Sequence, residues 1–433
     1  RRAVESDNRW MGLMLAFGAA SAWVALEWIR TWFLTGFPWL PLATSQWNRP
    51  ILLQGATVFG QWGVSFMLVM FNAGVAGYTV RIVEWAREKK KSYCPEFYVA
   101  LSVMVGMTFF MARISAGQQR EELMGAAVMQ PLIPQDQKWD SKFAREIMGR
   151  IEDLSLPARH TGRNIQALFW PEAVLPYPLK GDARLRTWSE GLANEANLPI
   201  FAGAIAVERP EENGDVQSPL GYDDGDLWYN SVFLVRPEWG LYPKYYSKRH
   251  LVPFGEYVPL RSVFPWAAKA VPLDGDFSPG DSPLLLPLDL EGKTVKIGSL
   301  VCYEDAFPGL ARESNLAGAG MFFVATNSAW YGRSGAAAQH MAHSVLRAVE
   351  NRRIVLRVGN DAWTGWINEY GQVVDELPQW EQLAASFQLS RDRDWVGQLT
   401  VYARYGDWFV WACWGMVVVC GVIGWRIKTT DGH

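Results

Sequence analysis

Three short stretches of the chain each seat a reactive side chain directly after, or beside, an apolar run. In "ALFWPEAVLPYP" the run closes and Glu172 follows; "YYSKRHLVPFGEYVPL" offers Lys248 and Glu256; "KIGSLVCYEDAFP" offers Cys302 and Glu304. A carboxylate, an ammonium and a thiol are the parts of nucleophilic catalysis. A thiol of pKa about 8.5 attacks poorly until ionised, a neighbouring carboxylate accepts its proton, and an ammonium favours the thiolate. Taken singly, each stretch has a plainer explanation. A Glu before Pro-rich sequence is commonly a loop residue, a Lys-Arg-His run a solvated face, and a strand-end thiol more often packs than reacts. The assignment rests on the set and its order. Glu172 then acts as general base and later returns the proton to a leaving group. Lys248, with backbone N–H groups after Cys302, holds the oxyanion of a tetrahedral intermediate. Asp305 reads as a helix-start residue.

Such residues need a scaffold that brings distant segments together. Short apolar runs of β type are predicted at 126–130, 165–170, 200–207, 231–235, 296–302, 321–326 and 354–358, and helices at 140–154, 183–196, 308–316 and 336–351. Strands separated by helices imply α/β packing with reactive groups at strand ends. "ERPEENGDV" and "GYDDGD" read as solvated loops, while "GLYPKYYSKRH" and "TNSAWYGRSGA" have the composition of lids.

Outside this region the composition changes. The 433 residues include 23 Trp, and aromatics crowd the first 115 residues and the last 30, where charges are sparse. That is a membrane distribution. Uncharged apolar runs occupy 10–26, 57–80, 97–112 and 408–425, against the roughly 20 helical residues that span a hydrocarbon core of about 30 Å. Arg81, Arg87, Lys89, Lys90 and Lys91 in one loop, and Arg426 and Lys428 in the tail, mark the cytoplasmic side. The intervening polar region is therefore expected on the opposite side. Three domains follow: a transmembrane region at 1–115, an extracytoplasmic catalytic domain at 116–405, and a C-terminal helix with cytoplasmic tail at 406–433. The opening Arg-Arg-Ala, without Met, reads as a fragment or processed form with helices expected before Arg1.

Other classes are disfavoured. A net charge of -3 argues against a nucleic-acid binder. Of Cys94, Cys302, Cys413 and Cys420, only Cys302 lies in the polar region, so no disulfide framework is readable. His340 and His343 share a helix face but find no third ligand, so neither metal nor other cofactor is called for. Glu27 and Arg30, near the end of the first apolar helix, face a lipid headgroup or each other.

The order Glu172, Lys248, Cys302 in these contexts resembles the carbon-nitrogen hydrolase (nitrilase) superfamily, with its Glu-Lys-Cys triad. Within it, "HLVPFGEYVPL", "IPQDQKWD", "VCYEDAFP", "TNSAWYG" and "RYGDWF" are similar to the membrane-embedded apolipoprotein N-acyltransferases. "EWIRTWFLTGFPWLPLATSQ" is similar to their transmembrane part, so the resemblance runs from about Trp23 to the C-terminal helix. It implies an α/β fold, a nitrilase-like α-β-β-α sandwich inserted between transmembrane helices, in a chain lacking the family's first helices. It also implies that Glu256 is a second carboxylate holding Lys248, and that Tyr303 and Glu304 shape the pocket beside the nucleophile. Asn327, Trp330, Arg357 and Asn360 are implied as pocket or supporting residues.

The reaction implied is acyl transfer in two stages. A phospholipid donates a fatty acyl chain to Cys302 as a thioester, and the N-terminal amine of a diacylglyceryl-modified lipoprotein accepts it. A monomer in a bacterial inner membrane, with its catalytic domain on the periplasmic side, is expected. Ser328, Asp361 and Ala362 depart from the family's pattern, which touches acceptor or lipid preference before catalysis. Two rivals stand: a membrane-tethered amidase or nitrile hydrolase passing the acyl group to water, and a scaffold carrying an inactive nitrilase domain.

Overall fold

The computed structural model describes residues 9–89, 93–157, 164–209, 225–259 and 276–430. The chain forms two compact units: Gln119–Ala348 with Arg353–Gln398, and Arg1–Gln118 with Val349–Arg352 and Leu399–His433.

The second of these is helical, built from α1 (Arg9–Ile29), α2 (Ala56–Glu88), α3 (Pro95–Ala116) and α8 (Trp408–Thr430). By length and composition α1, α2 and α8 can each cross a membrane; the described apolar stretch of α3, Pro95–Met107, is shorter. Every one of these helices outruns the apolar run that announced it, because polar residues continue the backbone hydrogen bonding beyond the hydrophobic stretch. α2 breaks at Gly60, whose φ of +66° suits glycine and whose added Cβ would come within 2.7 Å of the Tyr402 ring. The freed Gln61 N–H donates to the Glu350 carboxylate at 2.8 Å. Glu27 and Arg30 find partners within this unit. Glu27 accepts from Trp23 Nε1 (2.9 Å) and from Leu42 N (2.6 Å), while Arg30 donates to the Trp39 carbonyl, so Glu27 and Arg30 hold separate partners.

The other unit is built on two sheets. The first contains β1 (Arg120–Gln130), β2 (Ile165–Trp170), β3 (Ile200–Glu208), β4 (Leu227–Arg236), β5 (Gly240–Leu241), β6 (Tyr246–Ser247) and β13 (Leu383–Asp392), ordered β13-β1-β2-β3-β4-β5 with β6 also on β4. The second contains β7 (Leu285–Leu290), β8 (Lys293–Val301), β9 (Met321–Thr326), β10 (Val355–Gly359), β11 (Gly365–Ile367) and β12 (Val373–Glu376), ordered β12-β11-β10-β9-β8-β7. Each sheet has three parallel strands at its centre, β1-β2-β3 and β8-β9-β10, with antiparallel neighbours outside them.

Side-chain alternation stacks the layers. Ala126, Val128 and Phe169 enter the core between the sheets with Ile297, Phe323 and Leu356, while Ala127, Met129, Leu168 and Trp170 point the other way. There they meet Ile147 and Ile151 of α4 (Ala144–Ser155) and Leu185, Leu192 and Ala196 of α5 (Ala183–Ala196), residues at helical spacing. Asp182 caps α5 by accepting from Arg184 N and Leu185 N. On the second sheet α6 (Pro308–Leu316) approaches β8 closely: a Cβ on Gly298 would lie 3.1 Å from Ser314 Cβ. α7 (Ala336–Asn351) completes the α-β-β-α arrangement.

The predicted helix at 140–154 begins later, at Ala144, because turns occupy the residues before it. β7, β11, β12 and β13 were not anticipated. β7 carries a proline, β11 has three residues, and β12 and β13 are largely polar or half-exposed. The run at 296–302 stops one residue early, and that residue is Cys302.

Candidate active site

The reactive groups collect where strands end, the position at which open α/β sheets bind ligands. β2 ends at Trp170 and passes through Pro171 into the turn holding Glu172. The turn rests on β3 at Gly203, where a Cβ would stand 2.3 Å from the Pro171 carbonyl oxygen. Ala173 there takes φ +44°. Lys248 follows β6, its N–H donating to the Asn230 carbonyl of β4 at 2.8 Å. Cys302 follows β8 at φ +51° and opens a 3-10 turn through Ala306. Left-handed backbone costs a residue with a Cβ about 1–3 kcal/mol and persists only where its surroundings enforce it.

The Lys248 ammonium is 1% exposed; its Nζ lies 2.8 Å from Glu256 Oε2 and 3.6 Å from Glu172 Oε1. Asn230 Nδ2 donates to both carboxylates at 2.8 Å. Burial would strip the Lys248 proton, but Glu256 and then Glu172 outweigh it and hold the ammonium well above the ordinary lysine range. The Cys302 thiol is pushed up to about 12, first by burial and then by the Glu172 carboxylate, against the pull of Lys248. Glu172, Lys248 and Glu256 are thus in contact, and Cys302 lies within the field of the first two.

Glu304 is fully buried and accepts from Val301 N and Arg249 N at 2.7 Å, Tyr246 Oη at 2.8 Å and His250 N at 3.2 Å. It ties the segment after Lys248 to the end of β8 instead of lining an open pocket. Tyr303 packs edge-on against Phe307 with centroids 5.0 Å apart. Asp305 does not cap α6, which starts at Pro308; it sits in the 3-10 turn before that helix as a buried hub. Its carboxylate pairs with Arg357, accepts from Ser344 Oγ at 2.5 Å, and lies 2.9 Å from His340 Nε2, itself 3.0 Å from the Cys302 carbonyl oxygen. His340 and Arg357 outweigh burial and hold Asp305 well below the usual carboxylate range. Asn360 donates to the Ile133 carbonyl (2.8 Å) and to Asn327 Oδ1 (3.2 Å), while Asn327 reaches Gln135 Oε1 at 3.1 Å. The Trp330 side chain lies outside the described residues.

Three neighbours were missed from the sequence. Asn230 and Ser231 are the polar break in the apolar run of β4, a signal available in "YNSVFLV". Lys138 lies in the quoted "IPQDQKWD" and was assigned no role there. His340 was considered as a metal ligand without a third partner, and it lies against the Cys302 carbonyl. All four cysteines are free, and among the described residues no three His, Cys, Asp or Glu side chains group as a metal site requires.

The family description "Carbon-nitrogen hydrolase" matches residues 125–395, and "Apolipoprotein N-acyltransferase N-terminal domain" matches residues 3–74. A curated apolipoprotein N-acyltransferase of Geobacter metallireducens is 33% identical over 98% of this chain and 76% of its own length. The chain belongs to the apolipoprotein N-acyltransferase family. Within this membrane-embedded branch of the carbon-nitrogen hydrolases, the Nitrosomonas europaea relative is 30% identical over 95% of this chain and 74% of its own. An amidase structure from Nesterenkonia sp. is 20% identical, with a TM-score of 0.44 over 64% of this chain and 94% of that one.

Proposed function

We propose that the chain transfers a fatty acyl group from a phospholipid to the N-terminal amine of a diacylglyceryl-cysteine lipoprotein, through a thioester on Cys302. In the first stage Glu172 takes the thiol proton as Cys302 Sγ attacks the sn-1 ester carbonyl. Lys248 and the backbone N–H groups after Cys302 face the oxyanion. Collapse breaks the ester bond, Glu172 returns its proton to the departing alcohol, and a lysophospholipid leaves. In the second stage the neutral amine attacks the thioester, an amide forms, Glu172 carries the amine proton, and the thiol is regenerated.

A resting thiol near 12 fits this sequence. The charge on Glu172 that opposes ionisation disappears when the proton moves onto it, leaving the thiolate beside Lys248. Glu256 keeps the ammonium charged and in place. Trp139, Phe254 and Tyr331 are large and about half exposed on the segments carrying Lys138, Glu256 and Asn327, an apolar rim suited to an acyl chain. The basic residues at 81–91 and after 425 support a multi-pass orientation in the inner membrane with residues 116–405 on the periplasmic side.

The observation that carries the reading is the Lys248 ammonium between two carboxylates at the strand ends where Cys302 sits, in a chain of this family. The test supplies purified protein with phospholipid vesicles and a synthetic diacylated lipopeptide and follows peptide mass. One acyl chain gained on the peptide amine, with lysophospholipid released, is expected. Free fatty acid or ammonia as sole product excludes transfer.

A further inference from the structure

The triad accounts for one buried lysine, and the site contains two. Lys138 is 3% exposed, in the segment after β1. Its one hydrogen bond among the described residues runs from Nζ to the backbone carbonyl of Glu172 at 3.3 Å, and the ammonium also lies 5.5 Å from the Trp139 ring centroid. That carbonyl belongs to the peptide leading into Ala173, the residue held at φ +44°. Strained backbone relaxes unless something fixes it. From below, Gly203 fixes this turn by close packing; Lys138 holds it by a charge-assisted hydrogen bond.

We propose that Lys138 is a positioning residue for the transfer, pinning the turn that carries Glu172 and bringing a second positive charge to that turn. The inference rests on the Glu172–Lys248–Cys302 reading above. Lys248 cannot do this work alone, because its ammonium is already held by Glu256 and Glu172. Lys138 has no carboxylate in salt-bridge contact among the described residues; the charges it answers are those of Glu172 and Cys302. Burial holds its ammonium down to about 8 against the pull of those two groups, so it is charged at neutral pH and its charge responds to theirs. When the Cys302 proton moves to Glu172, the negative charge shifts from one neighbour of Lys138 to the other, and the cation stays paired throughout.

The experiment uses the purified protein in detergent. Cys302 alkylation by iodoacetamide is followed against pH by peptide mass spectrometry, which separates Cys302 from Cys94, Cys413 and Cys420. Single-turnover acyl-enzyme formation is followed from mixed phosphatidylethanolamine–phosphatidylglycerol vesicles. In Lys138→Met the alkylation profile is expected to move to higher pH by about one unit or more. Acyl-enzyme formation is expected to slow by about 10- to 100-fold. Lys138→Arg keeps the charge and restores the alkylation profile. Should Lys138→Met fail to fold, Lys138→Gln against Lys138→Arg makes the same charge comparison. A profile unmoved in the neutral variant overturns the proposal whatever the rate does, because a purely structural lysine has no reason to move it. Cys302→Ala and Glu172→Gln run alongside. Transfer surviving in either overturns the triad reading itself, whereas loss in both with an unmoved Lys138→Met profile overturns only the role of Lys138.

Discussion

Glu172 and Glu304 are buried carboxylates at the ends of β2 and β8, at 6% and 0% exposure, so burial alone does not tell them apart. Their partners do. Glu304 receives three backbone N–H groups and a tyrosine hydroxyl, all fixed in place. Glu172 receives one neutral side-chain hydrogen bond, from Asn230, and stands 3.6 Å from an ammonium that is closer to Glu256. Burial pushes the Glu304 carboxyl up against the pull of its backbone donors, but a proton there would turn an acceptor oxygen toward a donor and break a bond. A carboxylate with few donors can take a proton and give it back. On the proposed reading, spare hydrogen-bonding capacity is what separates Glu172 as machinery from Glu304 as scaffold. Asp305, paired with Arg357 and bonded to Ser344, belongs with Glu304 on the scaffold side.

That contrast can be broken experimentally. The largest effect is expected from Glu172→Gln. Removing the base should cost about 10²- to 10⁴-fold in lipopeptide acylation while leaving the melting temperature near that of the parent. Wild-type transfer in this variant would move Glu172 out of the chemistry. Glu304→Gln should behave differently, because an amide presents its NH2 to at least one donor. We expect a stability loss of about 2–3 kcal/mol, read from thermal unfolding of the detergent-solubilised protein, with activity falling alongside. Full stability with selective loss of rate would place Glu304 in the machinery instead. Asn230→Ala sits between the two classes. Deleting the donor shared by Glu172 and Glu256 should slow transfer by about tenfold or somewhat more, with little change in unfolding.

The smallest effect at neutral pH concerns the scaffold alone. Burial holds the His343 imidazole down to about 3, against the pull of Asp305. The unfolded chain takes up that proton near 6.5 and the folded chain does not, so stability should decline as pH falls from about 6.5 towards 3. Asp305 has the opposite kind of group but the same direction. Its folded value lies below its ordinary one, so its contribution is complete above about 3.9 and is lost only below that. Melting temperatures of His343→Gln across pH 4–7 should flatten the upper part of the decline; an unchanged slope would assign it elsewhere.

Much of this was legible along the chain. Ile165–Trp170 and Met321–Thr326, and the helices Ala183–Ala196, Pro308–Leu316 and Ala336–Asn351, have the residues predicted, because strands buried on both faces are continuous apolar runs and amphipathic helices carry a regular stripe. The edge strands β12 and β13 escaped for the complementary reason: half their side chains meet solvent and the apolar signal thins. Asp305 was misjudged because a carboxylate before a helix is normally a cap. Nothing in "VCYEDAFP" announces that a histidine from α7 and an arginine from β10 will close over it.

Local composition determined the helices long and apolar enough to cross a membrane, the parallel strands and the residue types available, since hydropathy and periodicity are properties of contiguous residues. Tertiary structure decided how many donors each buried carboxylate receives. Asn230, Lys138 and His340 reach Glu172 and Cys302 from 58, 34 and 38 residues away in the chain, Glu256 reaches Lys248 from 8, and proton capacity is set by donors gathered in space. Only the packed sheets bring those donors to one carboxylate and withhold them from another.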